Sequence, residues 1–152
     1  MKFKKLLILS ISLTLVFIWG HSMMSRTASG NESDSVRAFL EMIFGTESAF
    51  AKFLSRYVRK IAHFVEFAVL ASQVTLYTYL YSKRNIKHLV YCVCFGPVVA
   101  AIDESIQIFS HRGSSIYDVM LDSAGYIFGF LCCYAICAAV SFSKKERKKK
   151  NV

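Results

Sequence analysis

Four stretches of this chain stay apolar for about twenty residues each, the length an α-helix needs to cross the hydrocarbon core of a bilayer. They fall at about 6–24, 61–81, 89–109 and 116–142. Inside lipid a span must satisfy its own backbone polar groups, which leaves only helices and closed barrels. None of the four alternates apolar and polar residues with period two, so a barrel is disfavoured and an all-α, polytopic bundle of four transmembrane helices is expected. Composition agrees. Of 152 residues, 55% are hydrophobic and only 19% charged, too little polar surface for a small soluble domain. The net charge of +9 therefore does not point to a nucleic-acid partner, and the single Pro argues against a disordered or turn-rich chain.

The first stretch follows Lys2, Lys4 and Lys5 and precedes Thr27-Ala28-Ser29, a pattern shared by a retained helix and a cleaved secretory signal. Trp19, His21 and two methionines carry it past a typical signal core, so a retained helix is expected. Residues 25–35 are polar and read as loop. Val36, Phe39, Leu40, Ile43 and Phe44, then Phe50, Phe53, Leu54 and Tyr57, recur at helical spacing on either side of Gly45. That pattern predicts one interfacial amphipathic helix, or two short ones, between the first and second spans. It would cap the bundle, or act as a lid. Residues 1–152 read as one membrane domain ending in a basic tail at 143–152, whose simplest role is to anchor topology, with anionic lipid as the other reading.

Orientation follows from the basic residues. With the N-terminus in the cytoplasm, the inner side holds Lys2, Lys4, Lys5, Lys83, Arg84, Lys87, Lys144, Lys145, Arg147, Lys148, Lys149 and Lys150, twelve of the 19 Lys and Arg. The outer side keeps Arg26, Arg37, Lys52, Arg56, Arg59, Lys60 and Arg112 over a longer length. Both termini are expected inside a cytoplasmic membrane.

Half of the ten acidic residues lie within the spans. His63 and Glu66 open the second, at i and i+3 on one face. Asp103, Glu104 and Gln107 close the third. Asp118 and Asp122 open the fourth, with Arg112 in the link before it. All of them fall in the half of the membrane that this topology makes the outer one. A buried acid costs about 2.5–3.5 kcal/mol at mid-membrane on insertion scales, so such groups turn inward and find partners. Arg59, His63, Glu66, Asp103, Glu104, Gln107, Arg112, Asp118 and Asp122 are therefore the expected lining of an outward polar pocket. The alternative is inter-helix hydrogen bonding that only holds the bundle together. Gly125 and Gly129, as G-x-x-x-G, would let a neighbouring helix approach closely.

Cys92, Cys94, Cys132, Cys133 and Cys137 are odd in number, lie in apolar helix and lack zinc-type spacing, so they read as small packing residues. His21 and His88 read as interfacial, and His111 lies in the outer link. Ser114 and Ser115 would need an activating base to serve as nucleophiles.

These polar residues together, Arg59-Lys60-x-x-His63-Phe64-x-Glu66-Phe67-x-x-Leu70, Asp103-Glu104-x-x-Gln107-x-Phe109 and Arg112-x-x-Ser115-x-x-Asp118-Val119-x-x-Asp122-x-x-Gly125-x-x-x-Gly129, resemble the VanZ-like family. Trp19-Gly20-His21-Ser22-Met23 also matches. Ile106 departs from the pattern, since members often carry His there. The resemblance implies a small bacterial membrane protein of the cell envelope, the founding member being linked to resistance to teicoplanin-type lipoglycopeptides. It implies no established reaction.

Three functions compete on this basis. The first is a pocket that engages an envelope component or lipoglycopeptide and lowers susceptibility to it. The second is an intramembrane enzyme acting on a lipid-linked precursor or phospholipid head group. His63, Glu66 or Glu104 would serve there as acid or base, and Asp103, Glu104, Asp118 and Asp122 as oxygen ligands for a divalent cation. The third, a cation-coupled transporter, lacks matching ionisable groups in the inner half. The bilayer is the expected partner, with a lipid-linked envelope component or lipoglycopeptide as a further one; no organic cofactor is expected, and oligomeric state is not encoded in any legible feature.

Overall fold

The computed structural model describes residues 2–23, 35–36, 38–39, 41–45, 48–82, 85–109 and 115–150, with backbone alone at 51–52, 54–56, 145 and 148–150. Thr27-Ala28-Ser29, Leu40, Lys83, Arg84, His111, Arg112 and Ser114 lie outside the described residues. Four long helices form: α1 (Lys2–Ser22), α2 (Ala49–Tyr81), α3 (Ile86–Phe109) and α4 (Ile116–Lys150). Each contains a segment long and apolar enough to cross a membrane. No strand occurs among the described residues.

Local chemistry sets several of these boundaries. Asn85 caps α3, its side-chain oxygen accepting from the His88 amide at 3.0 Å. Ser115 caps α4, its hydroxyl accepting from the Tyr117 amide at 3.2 Å. Residues 41–44 are helical and end at Gly45, whose φ of +84° is a conformation glycine adopts without strain. The second amphipathic set does not form a separate interfacial helix. Phe50, Phe53 and Tyr57 belong to the first turns of α2, which runs 33 residues without interruption. At 1.5 Å per residue that is about 50 Å, well beyond the hydrocarbon core. The basic tail is likewise helical as far as Lys150.

The helices run up and down in turn. Gln73 donates to Ser10 at 3.0 Å, and Lys4 Nζ lies 5.8 Å from the centre of the Tyr77 ring, so α1 and α2 are antiparallel. α2 and α4 run parallel, as three contacts at one constant offset show. A side chain on Gly125 would strike the backbone of Phe64, one on Gly129 that of Ala68, and Cys133 Sγ lies 3.4 Å from the Ser72 carbonyl oxygen. The small-residue row is thus the seam between α2 and α4.

The core is small: Ile18, Phe67, Leu70, Ala71, Val99, Ala100, Tyr126 and Phe130, with Cys92. Large apolar side chains such as Leu13, Phe17, Val98, Phe128 and Ile136 face outward instead. That inversion suits a lipid surround. All five cysteines are free, but only Cys92 packs in the core, and Cys94 and Cys132 are exposed on the outer face of their helices.

Candidate functional site

One end of the bundle gathers the polar residues. There α1 and α3 end while α2 and α4 pass through their early turns. His63, Asp103, Glu104, Gln107 and Asp122 are all buried, Asp103 and Asp122 to within 1% of complete.

Asp103 is the centre of the cluster. Its Oδ1 accepts a 2.7 Å hydrogen bond from the Ser22 hydroxyl, and its Oδ2 accepts from the Gln107 amide at 3.1 Å. His63 Nδ1 stands 3.9 Å from Asp103 Oδ2 and the same distance from Asp122 Oδ2. Three helices thus bring two carboxylates and one imidazole together. Asp122 is the outlier in hydrogen bonding: neither of its buried oxygens has a hydrogen-bond partner. Glu66, Asp103, Glu104 and Asp118 all lie within charge–charge range of it.

Glu104 is engaged differently. Its Oε1 accepts from Gln107 at 3.2 Å and its Oε2 from the Ser115 backbone amide at 3.0 Å. A carboxylate at that amide also complements the positive end of α4. Glu104 therefore fastens the end of α3 to the start of α4, and both oxygens have partners. Asp118 points away toward Lys60, 3.5 Å distant and half-exposed. An exposed pair of this kind contributes little stability. The four oxygen donors considered from sequence are thus divided: Asp103 and Asp122 converge with His63, while Glu104 and Asp118 do not join them. Arg59 is half-buried on α2, and Arg112 lies outside the described residues.

Two participants were not legible as such. Ser22 is completely buried, and His21, expected at the interface, stacks on His63 with ring centres 5.7 Å apart and lies 3.4 Å from Glu66 Oε1. Both sit at the same end of their span as the acids, and that shared depth was the available signal. The test of Ser22 is direct. Ser22→Ala removes a buried hydrogen bond to a carboxylate, worth about 1.5–3 kcal/mol, and thermal unfolding in detergent is expected to fall by about 3–12 °C. Ser22→Thr, which keeps the hydroxyl, should retain most of the wild-type midpoint.

A cavity of about 230 Å³ lies at the opposite end, between α2, α3 and α4. Thr75, Tyr79, His88, Cys92, Phe130 and Tyr134 line it. It shares no residue with the polar cluster.

Comparison with curated proteins finds no match, and comparison with solved structures finds none either. A family model does match, described as VanZ/LLP1 and spanning residues 6–138. That range covers the second and third apolar segments whole, most of the first and fourth, and every residue of the polar cluster. The chain is a multi-pass membrane protein and belongs to the VanZ/LLP1 family.

Proposed function

We propose that this protein acts at the bacterial cell envelope. Both termini lie in the cytoplasm, and the polar end of the bundle forms an outward pocket that engages a polar group of an envelope component or of a teicoplanin-type lipoglycopeptide. Engagement lowers susceptibility to that antibiotic class. One observation carries the reading: Ser22, His63, Asp103, Glu104, Gln107 and Asp122, drawn from all four helices, are buried at one depth. A bundle that only filled the membrane would have no reason to accept the cost of desolvating that many polar groups in one place. The twelve basic residues assigned to the other side support this orientation.

The test is expression in a susceptible Gram-positive host. Wild type is expected to raise the inhibitory concentration of teicoplanin, and Asp103→Asn and His63→Gln at matched abundance to return it to the empty-vector value. Unchanged susceptibility with abundant wild-type protein sinks the resistance reading. The second reading, an enzyme acting on a lipid-linked precursor, is favoured by the approach of His63 to two aspartates. It requires that a labelled lipid extract be altered by purified protein.

A further inference from the structure

We infer that His63, Asp103 and Asp122 form a binding site for one divalent transition-metal ion of the zinc or manganese class. The inference rests on the reading of the polar end as a ligand site, and it names the ligand that completes that site from within.

Geometry is the first argument. One donor atom from each residue lies within 4.8 Å of the other two. Three donors each about 2.1 Å from a shared ion stand about 3.0–3.6 Å apart, from an octahedral face to a trigonal plane. The His63 nitrogen is 3.9 Å from both aspartate oxygens. That separation is too long for a hydrogen bond and somewhat wider than the spacing of three co-ligands. All three donors would draw in by roughly half an ångström or more to meet one ion.

The second argument is Asp122 itself. It is 1% exposed, neither oxygen has a hydrogen-bond partner, and the His63 nitrogen stands 3.9 Å away while Glu66, Asp103, Glu104 and Asp118 add like charge nearby. A carboxylate desolvated to that degree is normally held by donors or by a metal. Its oxygens face the other two donors, and an ion placed between them supplies what the protein does not.

Charge and support point the same way. Glu66, Asp103, Glu104 and Asp122 are four acids in one buried region, with the imidazoles of His21 and His63 beside them. A dipositive ion offsets that excess without requiring the imidazoles to be protonated, and metal binding needs them neutral. Asp103 is also held in place from behind by Ser22 and Gln107, the kind of support that fixes a ligating carboxylate. One imidazole with two carboxylates selects ions that accept both nitrogen and oxygen, hence zinc or manganese ahead of calcium or magnesium. Three protein donors leave at least one position open, which a water or an anionic oxygen of a head group could take.

The experiment uses full-length protein in detergent, stripped with chelator, equilibrated with Zn²⁺ or Mn²⁺, desalted and measured by elemental analysis. Wild type is expected to retain about one ion per chain and to melt at a higher temperature with the ion than without it. Asp122→Asn and His63→Gln should bind at least about ten-fold more weakly and lose the ion-dependent rise in melting temperature. Asp118→Asn, whose carboxylate faces Lys60, should bind as wild type does. Folding is controlled within the series. Without metal, Asp122→Asn keeps the shape of the side chain and removes an acid that faces neighbouring carboxylates, so it should elute as a single species and melt near stripped wild type. Wild type that retains no ion overturns the site, and so does Asp122→Asn binding with wild-type affinity. Protein that lacks the ion yet still raises the teicoplanin concentration refutes the metal and leaves the envelope reading intact. The reverse pair of results does the opposite.

Discussion

Replacing Gly129 with valine is expected to push α2 and α4 apart and to produce one of the largest losses of stability available to a single substitution in this protein. A Cβ at Gly129 meets the backbone carbonyl oxygen of Ala68, with the Ala68 Cα 2.7 Å away. Backbone cannot rotate aside as a side chain can, so the clash must be relieved by separating two helices that touch along much of their length. Overpacking of a rigid site costs about 3 kcal/mol, which for a chain of this size lowers the midpoint of thermal unfolding by about 6–12 °C. Gly20→Val is the matched control, because a Cβ there meets nothing within 4 Å. Its midpoint should move by no more than about 2 °C. Differential scanning fluorimetry of both variants in one detergent makes the comparison. Equal midpoints for Gly129→Val and wild type would mean that α2 and α4 are not in contact at this row.

Tyr126→Ala is expected to be comparably severe for the opposite reason, a hole instead of a clash. The Tyr126 ring is fully buried against the bare backbone of Gly96, and its hydroxyl donates a 2.8 Å hydrogen bond to the Cys92 carbonyl. Pro97 follows directly and removes one backbone donor from α3. Tyr126 thus packs and hydrogen-bonds the turn of α3 that its proline weakens. Truncation to alanine should cost about 3–5 kcal/mol from lost packing and the cavity left behind. Tyr126→Phe keeps the ring and loses only the hydroxyl, about 1 kcal/mol. Chemical unfolding of the two variants separates these terms. Equal effects from both would place the hydrogen bond, not the ring, at the centre of the contact.

Legibility in the sequence followed how local each determinant is. The four spans were readable because an apolar run of bilayer length has one low-energy form in lipid, whatever surrounds it. The common depth of His63, Asp103 and Asp122 was readable because position along a span is also a local property. Which carboxylates meet was not, since that depends on how each helix turns about its axis. Glu104 and Asp118 belong to the same tally of embedded acids, yet one fastens α4 to α3 and the other faces Lys60. Ser22 is legible only as part of the Trp19-Gly20-His21-Ser22-Met23 match, and its partner is not, since a serine near a helix end often serves its own backbone and here serves a residue on another helix. The start of α2 was misread for a simpler reason. Gly45 does end the first amphipathic piece, but no Gly or Pro interrupts the chain from Ala49 to Tyr81, so the second set runs on into the span.

The hydrogen bond between Ser22 and Asp103 joins residues 81 positions apart, while the Glu104 latch to Ser115 closes only eleven. α1 buries just Leu7, Ile18 and Ser22. As the chain leaves the ribosome, α1 is the first helix offered to the bilayer, and the carboxylate that secures its end is not yet made. The leading helix can pair with α2 through Ser10–Gln73 and His21–Glu66 once α2 emerges, but its polar end is secured only when α3 arrives, and α3 and α4 are latched together after that. The Ser22–Asp103 bond becomes available just before the Glu104 latch, so the polar end of the bundle is completed only as the last two helices are made.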